Sequence, residues 1–424
     1  MTKVYTCTEP LEADALDAFC VLQKGFTDQF VYYDKDRPRR MMGLGRCVAL
    51  SSVGDVDAVV QGLVPASPVL FSFSRFDAEN PKPADEMMSA FPNLRLLLPE
   101  VVLIENEQGT FLQVNSLGPV YPGRVARFAR QALQAKPRTA RKVSLRLDPE
   151  PYGDWEAVMG DVLDRLADGA IDKLVPSRRA HVMANEPFSS KDLLVNLVDG
   201  PAQGVVFLYR YGDVFFCGCT PELLVSRQGN QVESMCLAGT APVGSTPQET
   251  RAIADALMAD KKNRVEHDHV VRFVREVLAR NCYDVDVPEQ PRVVELRQLQ
   301  HLMTPARAKV MDGRSVTWLA AQLHPTPALA GAPVGEALRA LREVEPYNRG
   351  FFGGTVGYVD AEGNGSFAVA IRSGVFDGQE GWLYAGCGVV SGSDVRAEYE
   401  ETDLKMRTVL SAFSGSIDNG VDER

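Results

Sequence analysis

The stretch VFFCGCTPELLVSRQGNQVESMCLAG, residues 214–239, constrains the fold more than any other part of the chain. Apolar residues recur through both halves, with β-branched and aromatic ones mainly in the first, and Gln-Gly-Asn between them is a turn signal. It reads as two long strands joined by a hairpin, which makes them antiparallel neighbours. Further strand-like runs precede it: RCVALSSV, ASPVLFSFSRF and IDKLVPSRR. Others follow it: GGTVGYV, GSFAVAIRSGV and GWLYAGCGVV. Helices are expected near 11–24, 123–135 and 189–198, and from Asp154 to a stop at Gly169. Over 245–280 one or two more are expected, opened by Thr246, Pro247 and Glu249 as a capping box. Strands and helices do not alternate regularly, so the class is α+β with large, mainly antiparallel sheets flanked by helices. The basic, Pro-bearing KPRTARK divides an N-terminal α/β portion (1–142) from a larger second region (143–415). Residues 416–424 are expected to be a flexible tail.

Bulk properties exclude some functions. The 424 residues carry a formal charge of -11, which argues against a nucleic-acid surface. An anionic substrate would need a local positive site. No apolar run approaches the ~20 residues of a membrane span, and the first residues lack a signal pattern. Eight scattered cysteines are no disulfide framework, so a reduced cytoplasm is expected. Cys217 and Cys219 share one strand face, but no second Cys pair completes a zinc set. Glu266, His267 and His269 do not converge on one point, so zinc is not expected there either.

Four sites hold charge where apolar residues are expected. Strand alternation puts Lys173 on one face with Ile171 and Val175; a desolvated lysine there could act as a base. The same pattern suits an edge-strand lysine whose ammonium reaches water. Glu222 follows Pro221 at the head of an apolar strand, where a carboxyl could stay protonated as an acid. A solvated strand-end Glu fits that position too. Glu266 shares a helical face with Val270, Phe273 and Val277, and an unpaired carboxylate on a buried face is costly. In VRAEYEETDLK, Glu398, Glu401 and Lys405 share one face beside an apolar stripe of Met406, Val409, Leu410 and Phe413. Surface solvation would explain them, as would a site for a hard ion. Carboxylates without Cys or His ligands suit magnesium best.

These stretches, in order, resemble the chorismate-utilising enzymes of the anthranilate synthase component I type. The resemblance is carried over about 145–413 by IDKLVPSRR, CTPELL, LAGTAPVG, ADKKNRVEH, LQHL, HPTPALAG, FGGTVGYVDAEGNG, VAIRS, AGCGVV and AEYEETDLK. It implies that family's fold, with the active site in a cleft between the sheets. A lysine at position 173 marks relatives that attack the ring with water, whereas anthranilate-forming relatives lack it. Aminodeoxychorismate synthases carry a lysine where this chain has Ala238. The segment around Ala328 and Leu329 looks like the isochorismate type.

The resemblance implies Lys173 as base and Glu222 as acid. It implies Mg2+ between Glu266 and Glu401, with Glu398 direct or through water. Arg372 would hold the enolpyruvyl carboxylate and Lys405 would add charge near the ring carboxylate. Gly239, Thr240, Gly386 and Gly388 would approach the substrate with backbone N–H groups, and His301, Ala328 and Leu329 would border it. Isochorismate synthase is the reading this favours. Salicylate synthase, an ammonia-using synthase and a non-catalytic chorismate-binding homologue are the alternatives. A monomer without an obligatory protein partner is expected. The chain departs from the common pattern at Pro176, Thr220, Asn263, Phe352 and Cys387.

Overall fold

The structure, a computed structural model, describes residues 4–50, 67–91, 96–311 and 313–419. The run VVFLYRY shows how the sequence organises it. Along Val205–Tyr211, Val205, Phe207 and Tyr209 enter one buried cluster while Val206 and Leu208 enter another. A strand apolar on both faces has to be covered on both faces.

Among the described residues, a 12-stranded and a 10-stranded sheet enclose an aromatic-rich core. Phe30, Tyr32, Phe207 and Phe216 of the first sheet meet Phe71, Phe73 and Tyr358 of the second. Helices cover the outer faces. Ala15–Leu22, Pro122–Ala132, Ser190–Asp199 and Val395–Phe413 pack on the larger sheet. Tyr152–Ala167, Lys261–Asn281, Val316–Leu323 and Val334–Val344 pack on the smaller. Residues before the KPRTARK linker supply strands to both sheets; Gln29–Asp34, for example, pairs antiparallel with Val205–Tyr211.

The expected long strands are cut at the same kind of place. Within VFFCGCTPELLVSRQ, Val214–Thr220 belongs to the larger sheet and Leu223–Gln228 to the smaller. The break falls at Pro221, which has no N–H for a ladder. GSFAVAIRSGV likewise divides into Gly365–Val369 in the smaller sheet and Ser373–Asp377 in the larger. IDKLVPSRR divides at Pro176 into Lys173–Leu174 and Ser177–Ala184, and GWLYAGCGVV divides into Glu380–Gly386 and Val389–Val390. Lys173–Leu174 is the middle strand of a third, three-stranded sheet, between Gly331–Ala332 and Val389–Val390. Each break moves the chain from one sheet to another.

The segment expected as a tail is corrected at its start. Ser414–Asn419 is a strand pairing parallel with Val143–Pro149, because that strand's outer edge offers unpaired backbone groups. Residues 420–424 lie outside the described residues. No helix of the described residues is long and apolar enough to cross a membrane.

Candidate active site

The four breaks, with one bulge, surround a single cavity. Glu222 follows the Pro221 break. It is 5% exposed, and burial pushes its carboxyl up from 4.5 to about 7, opposed by Lys173, Lys405 and Arg372. A carboxyl near pH 7 can donate a proton, and its burial removes the solvated strand-end alternative.

Arg372 sits at the second break with φ +52°, a costly conformation for a non-glycine residue. Its backbone carbonyl accepts from the Cys219 N–H at 3.2 Å, and a Cβ on Gly218 would lie 2.5 Å from that oxygen. The turn is therefore seated against the neighbouring strand, and the guanidinium is carried inward. Burial lowers Arg372 to about 10, which keeps it charged near neutral pH. It approaches Nε2 of His301 at 3.3 Å, and Nδ1 of His301 lies 3.1 Å from the Thr240 hydroxyl. Burial beside Arg372 and Lys405 holds the imidazole well below its usual range. A neutral His301 adds no further cation to the pocket.

Thr240 lies beyond a bulge. The pairing register of Gln231–Pro242 shifts between Ala238 and Thr240, and Gly239 there has φ +79°. Asn263 accepts from the Thr240 N–H at 3.1 Å.

Lys173 is fully buried. As the centre strand of three, its segment rules out the edge-strand alternative. Its partner is a carboxylate rather than a wholly apolar wall: Nζ lies 3.0 Å from Oε1 of Glu266. Gly388 makes room for that contact, since a Cβ there would lie 2.1 Å from Glu266 Oε1 and 3.0 Å from Lys173 Cε. Gly331 is needed on the other side, where a Cβ would fall 2.1 Å from the Lys173 carbonyl oxygen.

The helix Val395–Phe413 closes the far side, capped by Asp394 on the Ala397 N–H at 2.8 Å. Lys405 pairs with Glu401 at 2.6 Å and donates to the Gly386 carbonyl at 2.7 Å. Glu398 is buried and pairs with Lys262 at 2.6 Å. Burial and the charges of Glu401 and Glu266 raise the Glu398 carboxyl.

The cavity is lined by Glu222, Gly239, Thr240, Glu266, His301, Ala328, Leu329, Arg372, Gly386, Gly388 and Lys405. Of the other predicted site residues, Lys173 stands behind Glu266, Glu401 behind Lys405, and Glu398 beside Lys262. Sequence reasoning missed Arg349 and Lys262. Arg349 is 3% exposed, pairs with Glu345, and donates to the carbonyls of Leu329 at 3.1 Å and Val175 at 2.5 Å. Glu345 in turn accepts from the Ser177 N–H at 2.8 Å. This pair ties together the segments bearing Lys173 and Leu329, a role that no local pattern marks. The KK pair before Asn263 was the available signal for Lys262.

The charges decide what the site could hold. Among the described residues no three acids form a ready metal cage. Yet Glu266, Glu398 and Glu401 are each answered by a lysine, and Glu398 feels the other two. That oxygen-only set fits a hard cation bound by one or two carboxylates and completed by water or substrate oxygens. His267 is not part of it: its ring bonds the Thr304 hydroxyl at 2.8 Å and the Ala238 carbonyl at 3.2 Å. Cys217 and Cys219 are buried free thiols.

The cavity thus carries a buried acid and a guanidinium on its wall, with a buried lysine behind Glu266, all from the quoted motifs. The chain belongs to the chorismate binding enzyme family, which it matches over residues 2–414, including the N-terminal third that lacked a motif of its own. It is 32% identical over 363 residues to the isochorismate synthase MenF of Bacillus subtilis, covering 82% of this chain and 75% of that protein. Its fold matches MenF, the menaquinone-specific isochorismate synthase of Escherichia coli, with TM-score 0.80 at 24% identity, over 96% of this chain and 94% of that one. Anthranilate synthase component I of Streptococcus pneumoniae shares the fold at TM-score 0.65 and 19% identity, over 96% of this chain and 92% of that one. The fold is thus the anthranilate synthase component I type.

Proposed function

We propose that this chain is an isochorismate synthase, interconverting chorismate and isochorismate by adding water at C2 and expelling the C4 hydroxyl. The observation that carries this reading is a buried carboxyl on the cavity wall, Glu222, raised to about 7, with a fully buried lysine, Lys173, held directly behind the lining carboxylate Glu266.

Lys173 takes a proton from water as its oxygen bonds to C2. The ring double bond moves, and the C4–O bond breaks. Glu222 gives its proton to the departing oxygen, so a water enters and a water leaves. Proton exchange with solvent then restores both groups, and the reverse reaction uses the same pair. Lys173 can serve as a base only when its amine is free of a proton, and Glu266 is the acceptor it must release. Glu266 and Glu401, with Glu398 direct or through water, would hold Mg2+, whose charge would offset the ring carboxylate. Arg372 holds the enolpyruvyl carboxylate by paired hydrogen bonds. Lys405 adds charge near the ring carboxylate. Gly386 and Gly388 let backbone approach, while Thr240, His301, Ala328 and Leu329 border the ring.

Incubation with chorismate, with and without Mg2+ and ammonium, tests this. Magnesium-dependent isochorismate, reaching the same mixture from either side, supports the reading. Salicylate with pyruvate as main products would replace it with a lyase, and an amino product formed only with ammonium would remove water as the nucleophile.

A further inference from the structure

A second cavity lies against the first and is not accounted for by the chemistry. It opens between the turn at 296–298 and the last turns of the helix Val395–Phe413. Pro221 and Arg372 line both cavities, so the two meet at the base of the Arg372 turn. Its other charged residues are Lys142, Arg297, Arg407 and Asp199. Asp199 is already paired with Arg138 at 2.8 Å, and Lys142 donates to the Ser411 carbonyl at 3.0 Å. Arg297 and Arg407 are exposed and have no hydrogen-bond or ion-pair partner among the described residues.

Such a grouping stands out on a chain whose formal charge is -11. A long-range field of this sign repels anions. Two unanswered guanidiniums beside a third that faces the catalytic pocket reverse that field locally. We propose that this cavity is the entry vestibule for the anionic substrate, and that Arg297 and Arg407 capture its carboxylates before Arg372 takes over the enolpyruvyl one. The inference rests on the dianionic substrate proposed above. It adds a route and two residues outside the catalytic pocket.

Exposed guanidiniums act mainly on encounter and weak binding, and salt screens them. The test is steady-state kinetics of the R297Q/R407Q double variant with chorismate, at ionic strengths from about 20 mM to about 500 mM. At low salt kcat/KM should fall about 5- to 10-fold while kcat stays within about twofold. The difference from the parent chain should vanish at high salt. R127Q/R130Q, which removes the same charge from the exposed face of a helix in the N-terminal third, is the control and should match the parent. Equal kcat/KM for R297Q/R407Q and the parent overturns the proposal, as does an equal fall in the control. A fall in kcat alone would do so too. If the parent does not turn chorismate over, the proposed function fails separately. The vestibule is then judged by calorimetric binding of chorismate to the same three proteins: unchanged affinity in R297Q/R407Q, or no binding by the parent, overturns it.

Discussion

Lys173→Met removes one partner of a buried ion pair and leaves the other in place. Lys173 is fully buried, the Glu266 side chain is 12% exposed, and the two meet at 3.0 Å. An uncompensated carboxylate at such a site costs about 3–5 kcal/mol of stability, whereas replacing both charges together is close to neutral. Lys173→Met should therefore lose about 3–5 kcal/mol in urea denaturation in metal-free buffer, and K173M/E266Q should recover most of it. Activity should behave differently. Both proteins should fall by about 10²- to 10⁴-fold, because the double variant restores packing but no base. Added Mg2+ should stabilise Lys173→Met more than the parent, since a cation would then answer the stranded Glu266. Two results would refute the reasoning: Lys173→Met as stable as the parent, or a double variant that regains turnover.

Further outcomes follow from the same geometry. The folded Glu222 carboxyl, at about 7, lies above its value of 4.5 outside the fold. Its contribution to stability is therefore fully present below pH 4.5 and is lost as pH rises toward 7, by about 3 kcal/mol in total. Glu222→Gln should flatten that part of the pH–stability curve, and kcat/KM of the parent should fall above about pH 7 as the acid loses its proton; an unchanged curve in the variant would count against the assignment. Gly388→Ala would place a Cβ 2.1 Å from Glu266 Oε1, so activity should drop by about 10²-fold or more with the fold retained by circular dichroism. Arg178, 2% exposed, stacks at 3.8 Å on Tyr399 and donates to Thr402 at 2.6 Å, on the helix bearing Glu398 and Glu401. Arg178→Met should lower stability by about 2–4 kcal/mol and weaken Mg2+ binding in calorimetry; unchanged metal affinity would show that it does not position those carboxylates.

Much of this site was legible before the structure, for a physical reason. Glu222 and Lys173 interrupt apolar alternation, and a charge on a buried face needs a chemical explanation. The helix Lys261–Asn281 was readable from its apolar periodicity, whereas its start, where Asp260 caps the Asn263 N–H at 2.8 Å, was not. What alternation concealed was where strands end. The runs around Glu222 and Arg372 stay apolar across the change of sheet, because both sheets bury both faces. Pro221 and Pro176 marked two of the breaks; at Arg372 only the positive φ marks one, and sequence does not display it. Arg349 was hidden for another reason. Its hydrogen-bond partners, Glu345 apart, are backbone carbonyls of Val175 and Leu329, distant in sequence. The pairing of Lys173 with Glu266 could not be read locally either, since it joins a strand to a helix through the space left by Gly388.

The central claim is that Lys173 and Glu222 exchange one oxygen for another across the ring. Turnover of chorismate in ¹⁸O-labelled water, followed by mass spectrometry of the isochorismate, tests it most directly. The account predicts one ¹⁸O per product molecule, located at C2, with incorporation lost in Lys173→Met. Isochorismate formed without the label would mean that the original hydroxyl migrates, and would contradict the account.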